Sequence, residues 1–228
     1  KKEDLLGSHP FSIGIWVGGE TTPNSIKDAK TKLNDTRRYG PERYPLVLLR
    51  CPWCGTEIGP KENRGAGRLR FELLGVNTTD ITLHCNERKC PFNSGLPVWT
   101  VDEQIYRERP SLIIGTVDKF ATLAWRPEAR SLFGIEDDGQ RLSSPPGMII
   151  QDELHLITGP LGSMVGLYET VIDELCTDRR NANHVVKPKI ICATATTRAS
   201  NRQILDLFGR DKASIFPPPG LDAGDSFF

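Results

Sequence analysis

The stretch Met148-Ile149-Ile150-Gln151-Asp152-Glu153-Leu154-His155 decides the fold, because it joins an apolar run directly to two carboxylates and a histidine. A short continuous apolar run is typical of a strand buried in a parallel sheet. Ligands bind at the carboxyl ends of such strands. Two adjacent carboxylates are costly at that position unless bound chemistry uses them. The alternative is an exposed acidic loop.

Apolar strands alternate with amphipathic helices on both sides of this stretch. This alternation predicts an α/β fold in which a parallel sheet carries helices on both faces. The predicted strands are Ser12–Val17, Ser111–Gly115, Met148–Gln151, Lys189–Ala193 and Ala213–Phe216. The predicted helices are Ser25–Leu33, Asp102–Glu108, Asp118–Trp125, Gly162–Cys176 and Ala199–Phe208. The apolar residues that predict the core face of the fourth helix are Met164, Leu167, Tyr168, Val171, Ile172 and Leu175.

Composition excludes several classes of protein. The 228 residues carry 29 basic and 29 acidic side chains, which argues against a histone-like nucleic-acid binder. No stretch approaches the ~20 apolar residues of a membrane span, and no secretion signal is seen, so we expect a cytoplasmic protein without a membrane partner. The chain starts at Lys1 without Met and ends at Phe228 after a proline-rich run. We therefore expect it to be a piece of a longer protein.

Four of the six cysteines form a C-x2-C pair and a C-x4-C pair. Cys51 and Cys54 lie in a Cys-Pro-Trp-Cys-Gly knuckle, and Cys85 and Cys90 form the second pair. Four thiolates make a closed, structural zinc site, and the absence of a secretion signal favours zinc over disulfides. Two alternatives stay open: a histidine ligand, His84, in place of Cys85, or two unrelated cysteine pairs.

The cysteines lie in a segment, residues 46–97, that is rich in Gly, Asn and Arg. It is predicted to be a zinc-ribbon-like insert with strand-like runs at Arg68–Val76 and Thr79–Leu83. Within it, the basic stretch Lys61–Arg70 is expected to be a flexible loop that contacts phosphates or forms a solvated tip. The two remaining cysteines are expected to be core residues; they are Cys176 and Cys192.

Residues that follow the other strands are also candidate functional residues. Gly18 and Gly19 could bring bare backbone amides to a phosphate or simply form a turn. Thr116 could hold a backbone phosphate or act as an ordinary N-cap. The hydroxyls of Thr194-Ala195-Thr196 suit a loop that hydrogen-bonds to the acidic one.

The order of these motifs resembles the first motor domain of superfamily 2 helicases of the DExH type. The resemblance implies a RecA-like domain at 1–45 and 98–216, interrupted by the insert and followed by a linker, 217–228, toward a second motor domain. It implies that Asp152 holds the Mg²⁺ of ATP, Glu153 activates water and His155 relays nucleotide state. The coupling residues would be Thr194, Ala195 and Thr196, and the residues facing nucleic acid would be Gly18, Gly19, Thr116 and Lys119.

Three further stretches add to this pattern: Cys51–Gly55, Asp152–Gly162 and Phe216–Asp222. Through them the chain more closely resembles helicase subunits of the DISARM anti-phage system. This resemblance implies an ATP-dependent helicase or translocase in anti-phage defence, with DNA and other subunits of a defence complex as partners. RNA is not excluded as the substrate.

One expected motif is missing from the sequence. The phosphate-binding loop G-x-x-x-x-G-K-[ST] requires a Gly-Lys dipeptide, and the chain contains none. We therefore expect residues 1–228 alone to turn over no ATP. The alternative function is an inactive motor-like module that binds DNA or a partner. A zinc hydrolase is disfavoured because the chain has no H-E-x-x-H motif and four cysteines leave no open metal position.

Overall fold

The computed structural model describes residues 10–65, 68–194, 200–210 and 213–216. The chain divides into two compact units, Lys1–Leu142 and Ser143–Phe228. The strands are β1 (Ile13–Trp16), β2 (Pro60–Gly65), β3 (Arg68–Leu73), β4 (Val76–Asn77), β5 (Thr82–Leu83), β6 (Val98–Trp99), β7 (Leu112–Gly115), β8 (Met148–Gln151) and β9 (Lys189–Cys192). The helices are α1 (Ile26–Tyr39), α2 (Asp102–Glu108), α3 (Val117–Ala121), α4 (Gly159–Cys176) and α5 (Ser200–Phe208).

A three-stranded parallel sheet organises the first unit, with β1 between β6 and β7. Trp16 at the end of β1 is fully buried and packs edge-on against Phe120, 5.2 Å away between ring centroids. Its indole N–H donates to the Tyr106 hydroxyl at 3.1 Å. Because Trp16 lies opposite Gly115 in the register, β1 and β7 end side by side at one edge of the sheet.

Helix α1 links this sheet to the cysteine-rich segment. The Ser25 hydroxyl caps the helix by accepting from the Asp28 amide, and Gly40 ends it at a φ of +135°. Ala29 and Leu33 are buried in a cluster that also contains Cys51 and other side chains of residues 46–97. The apolar core of the predicted insert is therefore continuous with the core of its flanking elements.

The basic stretch Lys61–Arg70 is not the flexible loop expected from the sequence, and this prediction is wrong. Strands β2 and β3 pair antiparallel through six registered pairs, from Pro60 opposite Leu73 to Gly65 opposite Arg68. Lys61 lies opposite Glu72, so opposite charges meet across the strands. The polar residues of β2 hide the strand pattern in the sequence, because only β3 shows alternating apolar residues.

The second unit contains the parallel pair β8–β9, with Met148 opposite Lys189 and Gln151 opposite Cys192. Helix α4 does not bury the apolar face predicted for it. Of the residues predicted to face the core, Leu167 is 72% exposed, and Met164 and Val171 are each about half exposed. The buried residues of the helix are Val165, Glu169, Ile172 and Cys176. Apolar residues surround most of this helix, so spacing alone does not identify its buried side.

Three further predictions need correction. The predicted single sheet is observed as two, because β8 pairs with β9 while the pairings described for β7 join it to β1. Residues 213–216 are exposed and form no strand. The predicted strand was weakly supported, because four residues beside a proline run carry little signal for strand pairing. The helix predicted at Asp118–Trp125 is observed as α3 followed by a 3₁₀ turn, Thr122–Ala124. Across the described ranges, no helix is long and apolar enough to cross a membrane.

Candidate functional site

The acidic turn, residues 152–155, directly follows β8. The side chains of Asp152 and Glu153 are exposed, and the Glu153 amide donates to Asp152 Oδ1 at 2.9 Å. Glu153 has a φ of 50° and a ψ of 43°, which is left-handed backbone. This conformation costs a residue other than glycine about 1–2 kcal/mol. Such strained positions are often found at functional sites, which makes Glu153 a candidate functional residue.

A histidine closes the acidic turn. His155 Nδ1 lies 3.2 Å from Glu153 Oε2, and the His155 side chain is 31% exposed against 59% for Glu153. The structure therefore brings together Asp152, Glu153 and His155, the three predicted catalytic side chains. Two carboxylates and an imidazole in one turn can bind a cation and exchange protons with bound water.

Backbone hydrogen bonds fasten the acidic turn to the end of β9. The Leu154 amide donates to the Ala193 carbonyl, and the Ala193 amide donates to the Gln151 carbonyl, both at 2.9 Å. Thr194 follows Ala193 directly, as the predicted contact between the two loops requires. The other two predicted coupling residues lie outside the described part of the chain; they are Ala195 and Thr196.

Sequence reasoning missed one residue that supports the turn, Gln203 of α5. Its Nε2 donates to the carbonyl oxygens of Leu154 and Ile157, both at 2.9 Å. Leu154 itself is fully buried beneath the turn. A glutamine within an amphipathic helix gives no sequence signal for such a role.

The predicted nucleic-acid residues of the first unit lie at the carboxyl edge of its sheet. The Thr116 amide donates to the Trp16 carbonyl at 3.3 Å, and its side chain is exposed. The Gly18 carbonyl accepts from the Thr21 amide at 2.8 Å, while the Gly19 carbonyl accepts from Lys32 Nζ at 2.9 Å. Gly18, Gly19 and Thr116 are thus gathered at one edge.

Lys119 does not belong to this edge, and its predicted contact with nucleic acid is wrong. The residue is only 5% exposed, and its Nζ lies 2.5 Å from Asp102 Oδ2 and 3.1 Å from Asn24 Oδ1. Helix α3 turns this side chain inward, where the buried carboxylate compensates its charge. A nucleic-acid strand cannot reach the ammonium in this arrangement.

The four paired cysteines meet at a second candidate site, with all their Sγ atoms within 4.8 Å of one another. Cys51 Sγ lies 3.9 Å from Cys90 Sγ, and Cys54 Sγ lies 3.5 Å from Cys85 Sγ. A tetrahedral zinc site with Zn–S bonds of about 2.3 Å has S–S edges of about 3.8 Å. The spacing therefore fits a metal bound by four thiolates.

Local backbone bonds shape the two cysteine pairs. Gly55 has a φ of +76°, and its amide donates to the Cys51 carbonyl at 2.9 Å. The Cys90 amide donates to the Glu87 carbonyl at 3.0 Å. His84 is not a member of the four-residue group, so the cysteine set is favoured over the histidine alternative.

The surroundings of the thiols shift their pKa values in different directions. The hydrogen bond with Thr56 lowers the pKa of Cys54 to about 6. Burial raises the pKa of Cys85 to about 12 and shifts that of Cys90 in the same direction. A bound metal would displace protons from these thiols.

Comparison with known proteins supplies one strong relationship. No protein-family model matches the chain. A crystal structure of the DUF1998 helicase MrfA shares 16% identity at a TM-score of 0.37, covering 88% of this chain and 22% of that one. DISARM protein DrmA of Bacillus paralicheniformis (strain ATCC 9945a / NCIMB 11709 / CD-2) is 35% identical over 268 aligned residues, which cover all of this chain and 23% of DrmA. The chain, which spans less than a quarter of that protein's length, is therefore a relative of DISARM protein DrmA.

Proposed function

We propose that the chain forms part of an ATP-dependent nucleic-acid helicase or translocase, directed at DNA and acting in anti-phage defence. The observation that carries the proposal is the meeting of Asp152, Glu153 and His155 in one strained turn after β8. The relationship to a DISARM protein supports the defence role and a place among other subunits of a defence complex. A second motor domain would lie in a longer protein that contains this segment.

The acidic turn fits the magnesium ion of a Mg-nucleotide. Magnesium binds through one or two carboxylates, keeps several waters and takes its remaining ligands from phosphates. Asp152, exposed at the strand end, would hold the ion. Bound Mg-ATP supplies the phosphoryl group that is transferred to water. The chain has no Gly-Lys loop, so the phosphates would be held by other parts of a longer protein.

The remaining residues of the turn would prepare the attacking water and report its reaction. Glu153 would accept a proton from that water, because its carboxylate is exposed next to Asp152. His155 Nδ1, 3.2 Å from that carboxylate, would fix its orientation. The Leu154–Ala193 hydrogen bond would pass movement of the turn to the coupling segment, residues 194–196. Nucleic acid would contact the first unit at Gly18, Gly19 and Thr116.

The four-cysteine centre would hold a structural zinc ion. Three of its side chains are buried, and four thiolates leave no position for a substrate. Because its core is shared with α1, the metal would stabilise the first unit as well as residues 46–97.

A magnesium titration tests the role assigned to Asp152. In a longer protein that contains this segment, Asp152→Asn should raise the Mg²⁺ concentration needed for half-maximal ATP hydrolysis and lower the maximal rate. Asp206→Asn is the matched control, because Asp206 is exposed on α5 and pairs with Arg202. Equal Mg²⁺ requirements in the two variants would overturn this role. A wild-type protein without DNA-stimulated hydrolysis would favour the inactive binding module.

A further inference from the structure

A basic groove lies between α1 and the β2–β3 hairpin in the first unit. Its volume is ≈ 660 Å³, which lies within the range of about 300–1,000 Å³ that is usual for small-ligand sites. Three arginines and one glutamate, Glu72, line it, so its charge is positive. The other lining residues that bear on its chemistry are Asn34, Asn63 and Phe71, and the arginines are Arg37, Arg38 and Arg70.

Within the described ranges, the arginines of this groove lack the carboxylate partner that several other arginines of the same unit have. Arg50, Arg107 and Arg109 each form an ion pair with a glutamate. In the described ranges no ion pair within 4.0 Å includes an arginine of the groove, and Arg37 Nη1 contacts only the Asn34 side-chain oxygen, at 3.4 Å. The dipole of α1 favours cations in its last turn, but it does not account for Arg70 on the opposite wall.

The walls of the groove are regular elements, so the arginines are held at a preformed site. Leu33 and Thr36 of α1 are buried, which fixes the helix against the core. Arg70 stands opposite Asn63 in the antiparallel ladder. The hairpin continues from the cysteine centre, where the Leu74 amide donates to the Gly59 carbonyl at 3.1 Å.

We propose that this groove binds the sugar–phosphate backbone of a single nucleic-acid strand. Guanidinium groups form paired hydrogen bonds with phosphate oxygens, and the Asn34 and Asn63 amides suit phosphate and sugar oxygens. Phe71 is a half-buried aromatic ring on which a base can stack. The choice of nucleic acid over other polyanions rests on the proposed function. The groove shares no residue with the edge formed by Gly18, Gly19 and Thr116, so it is a separate contact.

Fluorescence anisotropy of the zinc-loaded 228-residue chain with a labelled oligothymidylate of about 20 nucleotides tests this site. The groove variant is Arg37→Gln/Arg38→Gln/Arg70→Gln. Each lost phosphate contact lowers the slope of log affinity against log salt by about 0.7, so the triple variant should lose up to about 2. Its Kd should rise at least about tenfold near 100 mM salt.

The matched control is Arg107→Gln/Arg126→Gln/Arg130→Gln, which removes the same charge from the same unit outside the groove. This control should retain nearly wild-type affinity and salt slope. Equal weakening of both variants, or an unchanged Kd in the groove variant, would overturn the proposal. If the triple variant does not fold, Arg70→Gln alone must raise the Kd while Arg126→Gln does not. Binding is measured without ATP. The result therefore tests the groove even if the proposed ATP-driven activity proves wrong.

Discussion

At the scale of single residues, Glu153 shows a cost that its function would explain. Its left-handed backbone is unfavourable by about 1–2 kcal/mol, and glycine would remove that cost. A glycine also lowers the free energy of unfolding by about 0.5–1 kcal/mol, because it gives the unfolded chain more conformational freedom. We therefore expect Glu153→Gly to leave the free energy of unfolding within about 1 kcal/mol of wild type or to raise it. In urea denaturation, Glu174→Gly within α4 should instead lose about 1 kcal/mol. A larger loss for Glu153→Gly would contradict the strain.

Lys119 and Asp102 form a buried ion pair, with both side chains 6% exposed. Replacing Lys119 by Met leaves the Asp102 charge uncompensated, which should reduce the free energy of unfolding by about 3–5 kcal/mol. The exposed pair Arg107–Glu108 offers the control, since Arg107→Met should cost less than about 1 kcal/mol. Similar losses in chemical denaturation of the two variants would show that Lys119 is not buried as described.

Glu169 of α4 should make the stability of the second unit depend on pH. Burial, with a smaller contribution from Asp173, raises the pKa of Glu169 from 4.5 to about 7. The folded state therefore binds this proton more tightly than the unfolded state, so stability should fall as pH rises from about 4.5 through 7. Glu169→Gln should remove this decline and add up to about 3 kcal/mol at pH 8. Thermal unfolding at several pH values, with the exposed Glu174→Gln as control, checks the sign; a parallel decline in the Glu169 variant would refute it.

At the scale of elements, the cysteine centre and α1 depend on each other through one core. Chelation of the metal, or Cys90→Ser, should cost at least about 3 kcal/mol, or about 6–12 °C in Tm for a chain of this size. Because Leu33 and Ile58 share a buried cluster, hydrogen exchange should accelerate in α1 as well as in residues 46–97. Cys192→Ser, outside the centre, should keep wild-type stability without chelator and lose as much as wild type when chelator is added, whereas Cys90→Ser should not respond further to chelator. Protection of α1 that survives chelation would show that the segment unfolds independently.

Elements with a strong local signal were predictable from the sequence. Apolar β8 was predicted with its observed bounds, and the cysteine spacing correctly anticipated one compact group. The run predicted at Arg68–Val76 contains β3, but β2 was missed because its residues are mostly charged or polar and its stability as a strand depends on pairing with β3. The prediction of the buried side of α4 was wrong because Leu167 and Ile172 are similarly apolar. Only packing decides which of them faces the core.

At the scale of the whole molecule, the sequence predicted a parallel α/β fold but not which strands would pair. The sequence of an apolar strand such as β8 does not indicate which strand pairs with it, because the backbone hydrogen bonds are the same for every partner. The structure shows a three-stranded parallel sheet in one unit and a parallel pair in the other. Similarly, Lys119 was misplaced because its burial depends on Asp102, a tertiary contact that local motifs do not encode.

The account rests on the acidic turn as the centre of an ATP-driven motor, and one rate measures this directly. In a longer protein that contains this segment, DNA-stimulated ATP hydrolysis should fall at least about 100-fold in Glu153→Gln, because the base that accepts the water's proton is lost. Glu174→Gln should keep the wild-type rate, and DNA binding should be unchanged in both variants. A Glu153→Gln protein that hydrolyses ATP at the wild-type rate would contradict the account.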